Sequence, residues 1–174
     1  MLFRSAAKEG MKDRTIFINS LSKEFCMTGW RLGYVCANSD IIAAMTKLQE
    51  NIAACAPLPS QYAAIEALRL DYDYSADMAE VFKKRRDALV EEFSKTNKVK
   101  CIAPRATFYA MVDISQTGMK SEEFAYSLLK AMQVAVVPGK TYGRFCDDFI
   151  RIAFTLNEEK IREGIQRICK FVNT

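Results

Sequence analysis

The sequence predicts an α/β protein. Short β-branched, apolar runs alternate along the chain with longer segments whose apolar residues recur at helical spacing, and several of those segments begin on capping residues or end at prolines. The first two apolar runs stand on either side of a polar loop with no further strand signal beside them. A lone pair of short strands leaves both faces and both edges open, so these two are expected to belong to a larger sheet, and the chain reads as the later part of a longer one.

In chain order, residues 15–19 (Thr, Ile, Phe, Ile, Asn) and 33–37 (Gly, Tyr, Val, Cys, Ala) are expected as buried strands. Over 39–54, Ile41, Ile42, Met45, Leu48 and Ile52 follow a helical period, with Ser39 as the expected N-cap. Pro57 and Pro59 interrupt the chain before a second helix through Gln61, Ala64, Ile65 and Leu68. A longer amphipathic helix is predicted over 75–94, carrying Met78, Val81, Phe82, Leu89, Val90 and Phe93. Strands are expected at 98–102 and 107–114, the second with Phe108, Ala110, Val112 and Ile114 alternating against Tyr109, Met111 and Asp113. Ser121, followed by two glutamates, is expected to cap a helix with a Phe124, Leu128, Leu129 stripe. Strands at 134–137 and 149–155 follow, and Asn157 is expected to cap a last helix through Ile161, Ile165, Ile168 and Val172.

Composition narrows the function classes. With 174 residues, half of them hydrophobic, the chain can bury a real core. Its net charge of +4, from 25 basic and 21 acidic residues, is spread evenly except at Lys83, Lys84, Arg85 and Arg86. That cluster lies inside a helical pattern, so it reads as a solvated helix face and no nucleic-acid partner is expected. No stretch is apolar enough to span a membrane. Cys26, Cys36, Cys55, Cys101, Cys146 and Cys169 form no metal-binding pair and follow no secretory signal, so no metal is expected and reduced thiols in a cytoplasmic protein are. The absence of histidine excludes Ser-His and Cys-His nucleophile pairs.

Amine chemistry survives that filter. In the loop between the first two strands, Ser20, Leu21, Ser22 and Lys23 precede Gly29, Trp30, Arg31, Leu32 and Gly33. A lysine amine can form an imine with an aldehyde, while Ser20, Ser22 and Arg31 offer hydroxyl donors and a forked cation to a dianionic phosphate. Together these are the needs of pyridoxal 5′-phosphate. The alternative for Ser20 and Ser22 is ordinary turn and capping chemistry, and for Lys23 a plain surface lysine beside Glu24. Farther on, Arg151 interrupts an apolar strand between Ile150 and Ile152. Burying that cation requires a partner, either a bidentate ligand carboxylate or a structural acid such as Asp147 or Asp148.

The loop resembles the lysine signature of class I and II aminotransferases, matching at Ser20, Leu21, Ser22, Lys23, Gly29, Arg31 and Gly33 and departing from it at Cys26. Pro138, Gly139 and Gly143 resemble the family's Pro-Gly-x-x-Phe-Gly turn, with Tyr142 in place of the phenylalanine. The strand around Arg151 resembles the family's Arg-Ile-Ser/Ala-Phe strand, and 104–109 its Pro-x-Gly-Ala/Thr-Phe-Tyr segment. There Ala106 replaces glycine and would be strained if the position needs positive φ. Tyr34, Trp30 and Phe108 are expected as core aromatics.

The resemblance implies the C-terminal part of a fold-type-I enzyme: residues 1–54 from the large cofactor domain, 55–74 as a connection, and 75–174 as a small α/β domain. It implies that Lys23 carries pyridoxal 5′-phosphate and moves the substrate proton, that Ser20, Ser22 and Arg31 hold the phosphate, and that Arg151 binds the substrate α-carboxylate. Amino-acid and 2-oxo-acid substrates and a homodimer come with it. A carbon-sulfur lyase or cyclopropane-carboxylate synthase of the same fold would share these residues, and a non-catalytic fragment is the third alternative. The phosphate-binding amide turn, the ring that stacks on the pyridine, and the Asn, Asp and Tyr that hold the ring have no counterpart in the sequence, so the chain alone is expected to be inactive.

Overall fold

Alternating pattern becomes alternating strand and helix in the computed structural model, which describes residues 5–174. The chain divides into two units, one ending at Asp77 and the other spanning Met78–Thr174.

In the first unit, β1 (Phe17–Ser20) and β2 (Gly33–Cys36) form an antiparallel ribbon in register from Phe17↔Cys36 to Ser20↔Gly33. The one-turn helix α1 (Leu21–Glu24) lies in the loop between them, and α2 (Ser39–Ala53) and α3 (Leu58–Arg69) follow. Leu21, Met27 and Ala64 form a small buried cluster with Phe25, Leu32 and Tyr34 against it. The expectation of buried strands is not met within this unit: Ile18 is 70% exposed, because no third strand flanks the ribbon among the described residues. The cap of α2 is Asn38 and not Ser39. Asn38 has the extended backbone a cap needs (φ −64°, ψ 160°) and its side chain accepts from the Ile41 N–H at 3.0 Å, which places Ser39 inside the first turn. Pro59 sits in the first turn of α3, where its missing N–H costs nothing.

α4 (Tyr74–Phe93) contains the boundary and leads into the second unit. There β3 (Lys100–Ile102), β4 (Tyr109–Asp113), β5 (Val137–Pro138) and β6 (Phe149–Ala153) make a four-stranded antiparallel sheet in the order β3-β4-β6-β5. Helices α5 (Ser121–Met132) and α6 (Glu158–Val172) complete the unit. Strand alternation sends Ala110, Val112 and Ile150 into a core with Leu89 and Phe93 of α4, Phe124 and Leu128 of α5, and Ile161, Ile165 and Ile168 of α6. Burying each larger aliphatic or phenyl group there contributes about 1.5–3 kcal/mol. Asn157 caps α6 as expected, accepting from the Lys160 N–H at 3.0 Å.

Several boundaries differ from the sequence pattern for local reasons. Strand β3 begins at Lys100 because the Lys98 N–H turns back to Thr96 Oγ1. Strand β4 begins at Tyr109 because Thr107 takes the left-handed conformation (φ 69°) and its hydroxyl accepts the Tyr109 N–H at 3.1 Å. The positive φ thus falls on Thr107, and Ala106 escapes the strain expected of it. The 134–137 strand shrinks to Val137 and Pro138, since Gln133 closes α5 in a left-handed turn and Pro138 has no N–H to extend a ladder. Ser121 does not cap α5. It is fully buried one position inside the helix, and its hydroxyl donates to Asp147 Oδ1 at 2.7 Å. The basic cluster on α4 is solvated only in part: Lys83 and Lys84 are exposed, with Lys83 paired to Glu80, whereas Arg85 and Arg86 are half-buried, Arg86 pairing with Asp87 and Arg85 lying 5.0 Å over Phe82 while donating to the Thr155 carbonyl. Among the described residues no helix is long and apolar enough to cross a membrane.

Candidate active site

Ser20 is both the last residue of β1 and the N-cap of α1, where its hydroxyl oxygen accepts the Ser22 N–H at 3.2 Å. Buried Leu21 anchors the short helix, leaving Lys23 exposed on it. The chain then passes through Cys26, held at φ 54° with its thiol 3.5 Å from the Tyr74 hydroxyl, and through a 3₁₀ turn at Thr28–Trp30. Arg31 follows in the left-handed region (φ 52°, ψ 48°), donating from Nη1 to the Thr28 carbonyl at 3.0 Å. Two non-glycine residues at positive φ within one loop mark a conformation the surroundings must enforce. The loop closes where Gly33 pairs with Ser20 and the Leu21 N–H reaches the Leu32 carbonyl. A Cβ on Gly33 would lie 2.7 Å from the Asn19 carbonyl oxygen, so only glycine permits this closure.

Ser20, Ser22, Lys23 and Arg31 therefore share one loop pinned at its neck. A second set of groups, not singled out by sequence reasoning, supports it. The Asn19 amide donates to Glu24 Oε2 (3.3 Å) and to the Tyr34 hydroxyl (3.2 Å), tying the residue after Lys23 to the ribbon. Asn19 and Tyr34 are directly paired across the strands, a relation visible only once the register is known. Tyr34 is half-buried and Phe108 packs on the second unit's core, but Trp30, expected in a core, is 45% exposed.

Arg151 belongs to the second unit, at the middle of β6, between Met111 of β4 and Val137 of β5. Its neighbours Ile150 and Ile152 turn toward the core, and Arg151 alternates to the opposite face of the sheet. The structural-acid alternative fails: Asp147 accepts from Ser121, Asp148 pairs with Lys120 at 2.6 Å, and no carboxylate among the described residues pairs with Arg151. Instead the guanidinium carbon stands 4.1 Å from the Tyr109 ring centroid and 4.9 Å from that of Tyr142. Tyr142 ends the turn that begins at buried Gly139, whose backbone runs so close to the Cys146 and Phe149 carbonyls that no Cβ would fit.

The donor set of the first loop suits a phosphate-bearing aldehyde cofactor. It offers an amine, two serine hydroxyls and a guanidinium, and among the described residues Arg31 pairs with no carboxylate that would compete with a dianion. A sheet-and-helix unit with an acid-free arginine on its second face accompanies it. The first loop by itself defines the kind of site a phosphate-bearing aldehyde cofactor needs, and comparison with known proteins gives the family. The family model for aminotransferase class I and II matches residues 2–168. The putative aminotransferase YugH of Bacillus subtilis is 38% identical over 168 residues, covering 97% of this chain and 43% of that protein. An aspartate aminotransferase of Pyrococcus horikoshii is 39% identical over 160 residues, covering 91% of this chain and 41% of that protein. The crystal structure of an aromatic aminotransferase from Pyrococcus horikoshii superposes with a TM-score of 0.89 at 35% identity, over 97% of this chain and 45% of that one. The chain belongs to the class I and II aminotransferase family, which depends on pyridoxal phosphate. It spans less than half the length of these relatives.

Proposed function

We propose that this chain carries the cofactor lysine and the substrate-carboxylate arginine of an aminotransferase that moves an amino group between an amino acid and a 2-oxo acid. The observation that supports this reading is the pinned loop that carries Ser20, Ser22, Lys23 and Arg31, in which among the described residues no carboxylate pairs with Arg31. Residues 1–54 would come from the large domain, 55–74 connect, and 75–174 form the small domain.

Bound pyridoxal phosphate supplies an electron sink that labilises bonds at the substrate α-carbon. Arg31 and the Ser20 and Ser22 hydroxyls hold the phosphate, with the planar guanidinium suited to a dianion. The Lys23 amine would anchor the cofactor and would be the base that takes the proton from the substrate α-carbon. Arg151 receives the α-carboxylate through a bidentate fork. Exposed Ile18, Leu48, Ile52 and Leu68 on the first unit support a further covering by the rest of the enzyme and a second copy in a homodimer. Six free thiols support a cytoplasmic setting.

The test is reductive trapping. The whole polypeptide, loaded with pyridoxal phosphate and reduced with borohydride, should yield one labelled peptide containing Lys23, and Lys23→Ala should abolish the label. A label on another lysine would overturn the assignment.

A further inference from the structure

We infer that Tyr109 and Tyr142 act as an aromatic clamp that positions Arg151 for the substrate carboxylate in place of an acidic partner. This rests on the reading of Arg151 as the carboxylate receptor. The guanidinium carbon lies 4.1 Å from one ring centroid and 4.9 Å from the other, both within the range of a cation–π contact. No hydrogen bond or ion pair from the Arg151 side chain to another described residue accompanies them.

The distinction between a ring and an acid as partner matters chemically. A carboxylate partner would take the in-plane N–H donors and cancel the positive charge, so an incoming substrate would have to displace it. Aromatic rings attract the cation through their quadrupole and leave its charge and N–H donors available. Stacking also restricts a side chain that otherwise has many rotamers, which lowers the ordering cost of forming two parallel hydrogen bonds. The clamp thus prepares a charged fork without a competitor for it.

The backbone that carries each ring is fixed, and the Tyr142 ring itself is 45% exposed. Tyr109 opens β4, where its N–H is taken by Thr107 Oγ1 at 3.1 Å, and it sits diagonally across the ladder from Arg151, whose direct partner is Met111. Tyr142 closes the turn Gly139–Tyr142, fixed by the Lys140 N–H to buried Ser121 Oγ (3.2 Å), the Lys140 ammonium to Glu122 (2.6 Å) and the Gly143 N–H to the Lys140 carbonyl (3.1 Å). A phenylalanine at 142 would keep the ring, so the inference concerns the ring face and not the hydroxyl.

The experiment is heteronuclear NMR of the Arg151 Nε–H resonance in the full chain, with a titration of pyruvate, the simplest 2-oxo acid. Variants are Tyr109→Phe, Tyr109→Leu, Tyr142→Phe, Tyr142→Leu and Arg151→Lys. A ring-current shift of the Arg151 resonance is expected in the wild type and both Phe variants, and a reduced shift in each Leu variant. Pyruvate binding should weaken roughly two- to five-fold on each Leu substitution and be retained with Phe, as expected for one cation–π contact. Absence of the ring-current shift, or pyruvate binding unchanged in both Leu variants, overturns the clamp. Pyruvate binding that persists unchanged in Arg151→Lys, or no wild-type binding at all, overturns the carboxylate reading beneath it, and the clamp falls with that.

Discussion

Replacing Gly139 by alanine tests the packing that presents Tyr142 to Arg151. A Cβ at this position would lie 2.0 Å from the Cys146 carbonyl oxygen, 2.4 Å from that of Phe149 and 3.0 Å from the Phe149 carbonyl carbon. These neighbours are backbone, so no side-chain rotation can relieve the overlap, and the 139–146 turn must move away from the start of β6. Overpacking of a filled site costs typically 1–3 kcal/mol, and an overlap with fixed backbone puts this substitution at about 3 kcal/mol. With a slope of about 2 kcal/mol/M in urea, the midpoint of the second unit should fall by about 1.5 M. Gly164→Ala is the matched control: it lies within α6 with nothing inside 4 Å of its Cβ, so alanine should stabilise by about 0.5–1 kcal/mol through helix propensity alone. Urea unfolding followed by hydrogen exchange at Val112 and Ile150 reads both. A Gly139→Ala midpoint within 0.3 M (roughly 0.6 kcal/mol at that slope) of wild type would refute the argument from close approach.

Two further predictions follow from buried groups. Glu92 is only 3% exposed and is held by Lys95 (2.8 Å), Arg162 (3.0 Å) and Gln166 (3.3 Å), contacts that keep its carboxyl below the usual glutamate range, Lys95 most of all. A depressed folded-state value means the contribution is present above the ordinary glutamate value of about 4.3 and is lost as pH falls through the lower folded value; Glu92→Gln should therefore destabilise the second unit by about 1–3 kcal/mol at pH 7, with a smaller deficit near pH 3, measured by urea unfolding at both. Among the thiols, burial pushes Cys101 up to about 11 and Cys169 upward as well, whereas Cys26, Cys36 and Cys55 are exposed. At pH 8 a chromogenic disulfide reagent should label the three exposed cysteines first and Cys101 only on unfolding, as peptide mapping would report.

Much of the fold was legible because its signals are local. The helical periods of α2, α4 and α6 and the apolar alternation of β4 and β6 survive in the structure with shifts of a few residues at their ends. The ends were less legible because they depend on competition between neighbours: Asn38 and Ser39 are both good caps, and only the backbone at Asn38 decides between them. Local pattern suggests Ser121 as a cap, and its capture by Asp147 escapes that pattern because the two positions are far apart in sequence. The loop carrying Lys23 and Arg31 could be read from residue types at fixed spacing, but the Asn19 tie to Glu24 and Tyr34 depends on strand register. The rings over Arg151 come from a strand and a distant turn, a meeting that no local pattern encodes.

Transfer of an amino group, with Lys23 as the base and Arg151 as the carboxylate receptor, is the proposed function. Its most direct measurement is a single half-reaction of the whole polypeptide loaded with pyridoxal phosphate, mixed with an amino acid and no acceptor, with products quantified against bound cofactor. One equivalent of 2-oxo acid per cofactor is expected, with the amino group retained on the protein-bound cofactor, no reaction in Lys23→Ala, and a raised amino-acid requirement in Arg151→Lys. Free ammonia with loss of a side-chain thiol, or 2-oxo acid formed equally well by Lys23→Ala, would contradict it.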